Sequence, residues 1–338
     1  MHSASFLYTK ADPMKILVLE PRGFCAGVER AIRIVDLALE VYGPPIYVRK
    51  EIVHNQRVVD DLRQRGAVFV EETDLIPKGN RVVMSAHGVG PQVIKRAQQA
   101  GLEVIDATCP LVAKVHIEVQ RFVRKGYRII LIGHRGHDEV IGTMSESPGA
   151  VMLVTNTEEA EAIQIPGNPP LVVLTQTTLS VDDCTRIMEI LRRRFPRLET
   201  PPKEDICYAT TNRQEAVKQA VPLIDLLLVV GSVNSSNATR LVEVARSRGV
   251  PSHLIDSAAD IQVEWMDGVD CVGLTAGAST PEISVQEVVE VLKRRFGAVS
   301  AEPFQTAQED VVFKLPTELQ QRDPEWFRRR AAGQGAPG

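Results

Sequence analysis

Short apolar runs alternate along the chain with segments in which apolar residues recur every three or four positions. The run from Leu226 to Val230 has the length and composition of a buried strand. Val28, Ile32 and Val35 show the helical spacing in the segment that follows the first run. Strands that alternate with helices favour α/β domains with mostly parallel sheets, and we predict that fold class.

The same pattern predicts where most of the elements lie. Helices are expected after Cys25 to about residue 42, from Glu51 onward, and near residues 91–100 and 181–195. Thr211 and Gln214 have the spacing of a capping box, which predicts the start of a further helix. The predicted strands are residues 15–20, 46–48, 68–70, 81–84, 128–132, 151–154, 171–174, 226–230, 253–255 and 271–274.

Three cysteines occur in one local pattern, in which a strand-like run leads into the cysteine and a helix-like run leaves it. They are Cys25, Cys109 and Cys207, and they are 84 and 98 residues apart. At such a turn, free backbone N–H groups and the helix dipole favour a thiolate. The repetition predicts three similar units, each of which gives one sulfur to a shared centre.

These units predict three similar α/β lobes in a pseudo-threefold trefoil around a central cavity. Parallel sheets bind ligands beyond the carboxyl ends of their strands. His87, His137, Thr177, Ser235 and Ser279 follow such ends, so we expect their loops to meet at the cavity. The expected divisions are an N-terminal extension (1–13), a strand with the first cysteine that packs with the third lobe (14–26), the first (27–109), second (110–206) and third (207–297) lobes, and a C-terminal tail (298–338).

The composition excludes some classes of protein. The chain has 338 residues, is 44% hydrophobic and 24% charged, and carries a formal net charge of −4. That charge argues against a nucleic-acid binder. No apolar run reaches the roughly 18 residues that span a membrane, and the first 13 residues do not resemble a secretory signal. Five widely spaced cysteines do not suggest a disulfide framework, so we expect a protein of the reducing cytoplasm.

The three repeated cysteines are candidate ligands of a metal centre. Zinc sites usually contain close Cys-x-x-Cys pairs, and this sequence has none. Iron–sulfur clusters also bind through thiolates. A cubane that is held by three of them leaves one iron open as a Lewis acid for a substrate oxygen. Buried structural cysteine is the competing interpretation, and we prefer it for Cys184 and Cys271, which lack the repeated context.

Further candidate residues suggest a small phosphorylated ligand. His54, His87 and His137 could bind an anion or transfer a proton, because imidazole titrates near neutrality. Residues 234–237 and 278–280 place hydroxyls, amides and free N–H groups between a strand and a helix, which suits a phosphate. Neither stretch matches a P-loop or a dinucleotide fingerprint. Glu139 follows His137 closely and would be a proton donor beside a metal centre.

Several long motifs occur in an order that is similar to one known family. They are Pro21-Arg22-Gly23-Phe24-Cys25-Ala26-Gly27-Val28, Ser85-Ala86-His87-Gly88, Asp106-Ala107-Thr108-Cys109-Pro110, Gly133-His134-x-Gly136-His137-x-Glu139, Thr175-Gln176-Thr177-Thr178-Leu179-Ser180, Asp205-Ile206-Cys207-Tyr208-Ala209-Thr210-Thr211-Asn212, Gly231-Ser232-x-Asn234-Ser235-Ser236-Asn237 and Thr275-Ala276-Gly277-Ala278-Ser279. Over roughly residues 14–315, the chain resembles the LytB family of 4-hydroxy-3-methylbut-2-enyl diphosphate reductases. Residues 1–13, the basic end of the tail and Cys184 depart from the family pattern, and none of them belongs to the expected site.

The resemblance implies an iron–sulfur reductase of the methylerythritol phosphate route to isoprenoids, with a three-lobed fold. It implies a [4Fe–4S] cluster on Cys25, Cys109 and Cys207 with one open iron, and an electron carrier such as ferredoxin or flavodoxin. Glu139, Thr177 and His137 would be the catalytic residues. The residues that the resemblance implies for substrate binding are His54, His87, His137, Thr177, Ser235, Ser236, Asn237 and Ser279.

Three other functions stay open at this point. The first is an open-iron [4Fe–4S] hydro-lyase, which would convert its substrate without a reductant. The second is a zinc protein. The third is a non-catalytic binder of small phosphorylated ligands, which would bind diphosphate and turn nothing over.

Overall fold

The structure, a computed structural model, describes residues 14–323 together with residues 325 and 328. The predicted extension (1–13) and most of the basic end of the tail lie outside the described residues. The strands, in chain order, are β1 (Lys15–Glu20), β2 (Ile46–Arg49), β3 (Ala67–Val70), β4 (Arg81–Met84), β5 (Glu103–Asp106), β6 (Arg128–Ile132), β7 (Val151–Val154), β8 (Leu171–Thr175), β9 (Leu226–Val230), β10 (Ser252–Ile255), β11 (Cys271–Ala276) and β12 (Ser300–Gln305).

Helices connect these strands and cover both faces of the sheets. Short 3₁₀ turns also occur, at Thr73–Leu75, Val221–Leu223, Ala258–Asp260 and Val263–Met266. The α-helices are α1 (Ala26–Tyr42), α2 (Gln56–Gln64), α3 (Pro91–Gln99), α4 (Pro110–Arg124), α5 (Asp138–Ser145), α6 (Thr157–Ala162), α7 (Val181–Arg194), α8 (Tyr208–Ala220), α9 (Ser236–Arg246), α10 (Glu282–Phe296) and α11 (Thr317–Gln320).

The strands form three sheets, one for each lobe. The sheets have the strand orders β3-β2-β4-β5, β7-β6-β8 and β10-β9-β11-β1-β12. The strand pairs along these sheets are parallel. Strands β8 and β9 are buried along their whole length, as expected where helices cover both faces. The predicted fold class, three α/β lobes around a central cavity, is confirmed.

Strand β1 belongs to the sheet of the third lobe although it begins the described chain. Lys15 lies opposite Cys271 of β11 on one side and Ser300 of β12 on the other. The helix that follows β1 packs elsewhere, because Ile34 of α1 is fully buried in a core with Val48 of the first lobe. The turn that holds the first cysteine therefore spans two lobes.

Some element boundaries differ from the sequence prediction. Helix α2 begins at Gln56 and not at Glu51, because the side chain of Asn55 caps it by accepting the N–H of Val58 over 3.2 Å. Helix α8 begins before the predicted capping box, since Cys207 caps it, and Thr211 lies inside the helix. The sequence prediction also missed α5, α6 and β12.

The segment after β12 connects the third lobe to the first. Arg213 of α8 is fully buried and donates a hydrogen bond to Glu309 over 2.9 Å. Arg30 of α1 donates to the carbonyl oxygen of Lys314 over 2.7 Å. Leu315 is then buried in the core of the first lobe. Two buried arginines thus hold this part of the tail against the helices that begin at Cys25 and Cys207.

Each lobe buries apolar side chains between its sheet and its helices. Ile129 and Leu131 of β6 face one core of the second lobe, and Ile130 and Ile132 face another on the opposite side of the sheet. Within the described chain, no helix combines the length and the apolar composition that crossing a bilayer demands.

Candidate active site

One central cavity brings all of the predicted site residues together. It lies beyond the carboxyl ends of the strands, where the loops from the three lobes meet. The predicted residues that line it are Cys25, His54, His87, Cys109, His137, Glu139, Thr177, Cys207, Ser235, Ser236, Asn237 and Ser279.

Each of the three cavity cysteines occupies the N-cap position of the helix that follows it, and the Cys207 side chain also accepts the N–H of Thr210. Cys25, Cys109 and Cys207 precede α1, α4 and α8 directly. Their backbone N–H groups donate to carbonyl oxygens in other loops, those of Ala278 (3.1 Å), Ala86 (2.9 Å) and Thr177 (3.0 Å) respectively. Every thiol is therefore positioned by a second loop of the cavity as well as by its own helix.

Close packing around Gly27 brings two of the thiols near each other. A Cβ atom on Gly27 would lie 2.7 Å from Sγ of Cys109 and 3.8 Å from Sγ of Cys25. A contact of 2.7 Å is too short for a real side chain, so any larger residue at this position would displace the Cys109 thiol. The thiols of Cys25, Cys109 and Cys207 are free, and none of them forms a disulfide.

The spread of the three thiols fits a cluster better than a single zinc ion. Zinc holds sulfur at about 2.3 Å, so two of its sulfur ligands lie at most about 4.6 Å apart. Within the described part of the chain, the sets of three ligand atoms that lie within 4.8 Å of one another do not include these three sulfurs. A cubane places its thiolates at separate corners and suits the wider arrangement.

The prediction that the cysteine turns favour thiolates is wrong for two of the cysteines in the protein alone. Burial, together with the neighbouring Cys25, raises the pKa of the Cys109 thiol to about 12. Burial and Cys25 likewise raise the pKa of Cys207 to about 11. Burial removes the water that would solvate a thiolate, and this loss outweighs the helix dipole. Repulsion from the neighbouring Cys25 in the shared cavity adds to it. Positive charge from a bound metal centre would stabilise them as thiolates.

Glu139 is a buried carboxyl group that Thr177 holds at the cavity. The backbone N–H of Thr177 donates to Oε1 over 2.7 Å, and its hydroxyl lies 3.0 Å from Oε2. Burial raises the pKa of Glu139 to about 7, although the hydrogen bonds from Thr177 lower it. Near neutral pH the group can therefore hold or release a proton.

The three histidines form one cluster at the cavity wall. The rings of His54 and His87 stack with centroids 4.0 Å apart, and His137 meets both rings edge-on at 5.8 and 5.9 Å. Burial and the neighbouring imidazoles lower the pKa of His87 well below its usual value and that of His137 to about 4. Nδ1 of His87 is buried without a hydrogen-bond partner among the described residues. Neutral imidazoles of this kind can donate hydrogen bonds to an anion.

Polar side chains from the third lobe complete the wall. Ser235 caps α9 by accepting the N–H of Ala238 over 3.4 Å. Oδ1 of Asn237 accepts the N–H of Ala278 over 2.9 Å, which fixes the loop of Ser279. The hydroxyl of Ser279 donates to the carbonyl oxygen of His54 over 3.0 Å. These bonds join the serine loops to the histidine loop of the first lobe.

Ser236 provides the corresponding connection to the second lobe. Its Oγ accepts a hydrogen bond from the hydroxyl of Thr178 over 3.1 Å. Thr178 also lines the cavity, next to Thr177. The residues around the cavity are therefore connected through all three lobes.

The sequence analysis missed several residues of the cavity. Phe313 lines it from the tail, and Tyr208 lines it beside Cys25, where its hydroxyl accepts the N–H of Ala26 over 3.2 Å. Phe313 is an aromatic residue in a largely polar tail, and that was the available signal. No sequence signal identified the ion pair of Lys50 with Asp138, which lies beside the histidines.

Comparisons with known proteins agree with this geometry. The family model described as LytB protein matches residues 16–293. The 4-hydroxy-3-methylbut-2-enyl diphosphate reductase of Acidothermus cellulolyticus is 52% identical over 333 residues, which cover 97% of this chain and 95% of the relative. The reductase of the same name from Azotobacter vinelandii is 53% identical over 310 residues, with 90% and 98% coverage.

Solved structures are similar as well. The E-1-hydroxy-2-methyl-but-2-enyl-4-diphosphate reductase of Plasmodium falciparum aligns with a TM-score of 0.89 and 42% identity, over 93% of this chain and 99% of that one. A structure of (E)-4-hydroxy-3-methyl-but-2-enyl diphosphate reductase, described as the terminal enzyme of the non-mevalonate pathway, aligns with a TM-score of 0.59 and 30% identity. It covers 83% of this chain and 99% of its own.

Proposed function

The chain belongs to the LytB protein family, and from that premise we propose that its cavity carries out the reductive removal of the hydroxyl group of (E)-4-hydroxy-3-methylbut-2-enyl diphosphate. The chain is a reductase of this diphosphate in the non-mevalonate pathway. The observation that carries the assignment of the site is that three free thiols, a buried carboxyl group and three histidines line one cavity.

The three thiols are the proposed holders of an iron–sulfur cofactor. Cys25, Cys109 and Cys207 would bind a [4Fe–4S] cluster, and their spread supports this choice over a single zinc ion. When bound, such a cluster supplies electrons one at a time and offers an open iron as a Lewis acid for the hydroxyl oxygen. The first electrons would come from a carrier protein such as ferredoxin or flavodoxin.

The histidine and serine loops are the proposed site of the diphosphate. His54, His87 and His137 would donate hydrogen bonds to it from one side. Two of these imidazoles are neutral before it binds, and a neutral imidazole still has one N–H to donate. Ser235, Ser236, Asn237 and Ser279 would donate from the other side, and the N-terminus of α9 adds favourable backbone N–H groups. Binding at one end of the substrate leaves its hydroxyl end to point toward the thiols.

Glu139 and Thr177 are the proposed path of the first proton. The reaction consumes two electrons and two protons, breaks the C–O bond and releases water. A protonated Glu139 can donate to Oγ1 of Thr177 at 3.0 Å, and the hydroxyl of Thr177 can then donate its own proton to the leaving oxygen. The second proton goes to carbon, and the end that receives it decides between isopentenyl and dimethylallyl diphosphate.

The experiment that tests the proposed function is anaerobic. The protein is purified without air, analysed for iron and sulfide, reduced with dithionite and a viologen dye, and supplied with the hydroxylated diphosphate. We expect both diphosphate products, and only when reductant is present. Conversion without reductant would instead indicate a hydro-lyase. Bound zinc without sulfide would indicate a zinc protein. Binding without turnover would indicate a non-catalytic binder.

A further inference from the structure

An ion pair between the first and second lobes lies beside the histidine cluster. Lys50 follows β2 in the first lobe, and Asp138 begins α5 between His137 and Glu139. The two side chains are only partly exposed, at 26% and 20%. A pair in this position affects both the contact between the lobes and the charge of the proposed diphosphate pocket.

The backbone at Lys50 is unusual for a lysine. Its φ angle is +59°, in the left-handed region that glycine and asparagine adopt most easily. The backbone N–H donates to the carbonyl oxygen of Val70 over 2.7 Å, which holds this conformation in place. The turn leads from β2 into the loop of His54, while the lysine side chain reaches the other lobe.

Asp138 brings a negative charge to the pocket. One of its carboxylate oxygens lies within 4.8 Å of ring nitrogens of both His54 and His87. Near neutral pH the imidazoles of His87 and His137 are uncharged, so they do not offset that carboxylate. An unbalanced carboxylate a few ångströms from a bound diphosphate would repel it.

Lys50 supplies the balancing charge. Its ammonium group pairs with Asp138, and its positive charge also acts on His87. Glu51 adds a further carboxylate, 3.0 Å from Nδ1 of His54, but its side chain is 35% exposed and solvent screens it more. Lys50 therefore cancels the charge of Asp138, and the carboxylate that remains at the base of the pocket is that of the more exposed Glu51.

The same oxygen and nitrogen atoms are close enough to hold a metal ion, but the ammonium argues against one. A cation would need the carboxylate of Asp138 as a ligand together with His54 and His87. That carboxylate is already paired with the ammonium of Lys50, which would repel the cation. An anion gains from that positive charge. The arrangement therefore favours an anion pocket over a second metal site.

We propose that Lys50 and Asp138 form a charge-balanced pair that sets the affinity of the histidine pocket for the diphosphate end of the substrate. Lys50 is then a positioning residue that acts through Asp138 and the histidines. This inference rests on the proposed function, because it takes the histidine pocket as the diphosphate site. Removal of Lys50 alone exposes the ligand to the uncompensated carboxylate of Asp138. Removal of both side-chain charges returns the net charge beside the histidines to its wild-type value.

The test is a double-mutant cycle on the anaerobic, oxidised holoenzyme. Inorganic pyrophosphate is titrated by calorimetry into wild type, Lys50→Met, Asp138→Asn, the double variant and Lys50→Arg. The matched control is Lys218→Met, which breaks a similar pair, with Asp182 at 2.6 Å, between α8 and α7. Iron content and thermal unfolding are measured for every variant, and KM and kcat are measured with the reduced enzyme.

We expect Lys50→Met to weaken pyrophosphate binding about tenfold or more and to raise KM similarly, with kcat changed by less than about twofold. Asp138→Asn should bind pyrophosphate at least as tightly as wild type. The pyrophosphate affinity of the double variant should return to within about threefold of wild type, because neither charge remains. Lys50→Arg and Lys218→Met should resemble wild type, and high salt should shrink the effect of Lys50→Met.

Two results would overturn the inference. One is unchanged pyrophosphate affinity in Lys50→Met. The other is a double variant as weak as Lys50→Met, which would mean that the pair only ties the lobes together. If Lys50→Met does not fold, Asp138→Asn tests the inference instead, and weaker pyrophosphate binding in that variant would overturn it. A wild-type protein that binds pyrophosphate but makes no product would refute the proposed function, while the cycle would still decide the role of the pair.

Discussion

The backbone N–H of Cys207 donates a hydrogen bond to the carbonyl oxygen of Thr177 over 3.0 Å. The same threonine holds Glu139 through its own N–H and hydroxyl. One residue at the end of β8 thus fixes the third thiol and the buried carboxyl group relative to each other. The proposed proton source and the proposed metal ligand therefore share one support and cannot move independently.

Replacement of Glu139 by glutamine should separate binding from chemistry. The amide preserves the size of the side chain but has no acidic proton, so we expect kcat to fall by about 10²- to 10⁴-fold. Iron content and pyrophosphate affinity should stay close to wild type. The matched control is Glu287→Gln, at an exposed partner of Arg57 that does not line the cavity. Near-normal turnover in Glu139→Gln would remove this residue from the mechanism.

The pH dependence of turnover should report the same carboxyl group. Burial raises its pKa in the folded protein to about 7, above the usual value of 4.5, so the proton-donating form is complete well below pH 7 and is lost as pH rises through it. We therefore expect kcat, measured at saturating substrate so that the pH dependence of binding does not enter, to decline on the alkaline side of about 7. The measurement is anaerobic initial rates across that range. The decline should be absent from the residual activity of Glu139→Gln, and its persistence there would assign it to another group.

Diphosphate binding should draw protons into the histidine cluster. The pKa of His137 is lowered to about 4 by burial and by His54, and burial lowers that of His87 as well. A bound anion favours the imidazolium form and raises these pKa values. Protons are then taken up on binding, so affinity should fall as pH rises.

Calorimetry of pyrophosphate in buffers with different ionisation enthalpies measures that uptake. His253→Asn is a suitable control, because this histidine stacks on Trp265 with centroids 3.6 Å apart and does not line the cavity. Its proton uptake should match wild type, whereas His137→Asn should take up fewer protons. Affinity that is independent of pH, with no proton uptake, would contradict the expectation.

A methyl group at Gly27 should disturb the metal centre without unfolding the protein. The added Cβ would lie 2.7 Å from Sγ of Cys109, so that thiol must shift. We expect Gly27→Ala to lose most of its iron and sulfide. The variant without its cofactor should unfold at about the temperature of the wild-type apoprotein or slightly above it, since alanine is favoured over glycine in a helix by about 1 kcal/mol. Full iron content in this variant would show that the thiol has room to move.

The tail contact through Arg213 should matter for stability. Glu309→Gln weakens the carboxylate partner of a fully buried guanidinium group. We expect the midpoint of thermal unfolding to fall by about 3 °C or more. The exposed Glu287→Gln again serves as the control and should change little. An equal shift of the unfolding midpoint in both variants would mean that the buried pair stabilises the fold no more than the exposed one.

The sequence predicted elements best where burial dictates composition. Leu226–Val230 and Arg128–Ile132 were predicted with the bounds that the structure has, because both are apolar except for Arg128 and end at glycine loops. Ser300–Gln305 was missed, since this edge strand is largely exposed and its residues need not be apolar. The short helix Asp138–Ser145 was missed because its eight residues contain too few large apolar side chains, Val140, Ile141 and Met144, to form a recognisable stripe.

The site was predictable where residue type and position after a strand point the same way. The three cysteines, His87 and His137 meet both conditions, and all of them line the cavity. His54 also lines it, but the sequence placed this residue at the start of a predicted helix, so only its residue type and the family resemblance pointed to it. Lys50 and Asp138 also follow strands, but a lysine and an aspartate in loops are ordinary surface residues, so their residue type gave no signal. Their significance depends on how two lobes are placed against each other, which no local pattern contains.

The position of β1 between β11 and β12 also has a consequence for biosynthesis. A ribosome makes β1 first, yet its two neighbours, Cys271–Ala276 and Ser300–Gln305, emerge only near the end of translation. The earlier sheets can form while the nascent polypeptide is still growing, but the anchor of Cys25 must wait for the final tenth or so of the chain. Loading of the proposed metal centre is therefore an event for a finished polypeptide, because in a product that ends before β12 the Cys25 thiol is present but β1, which precedes it, lacks one of its two neighbouring strands.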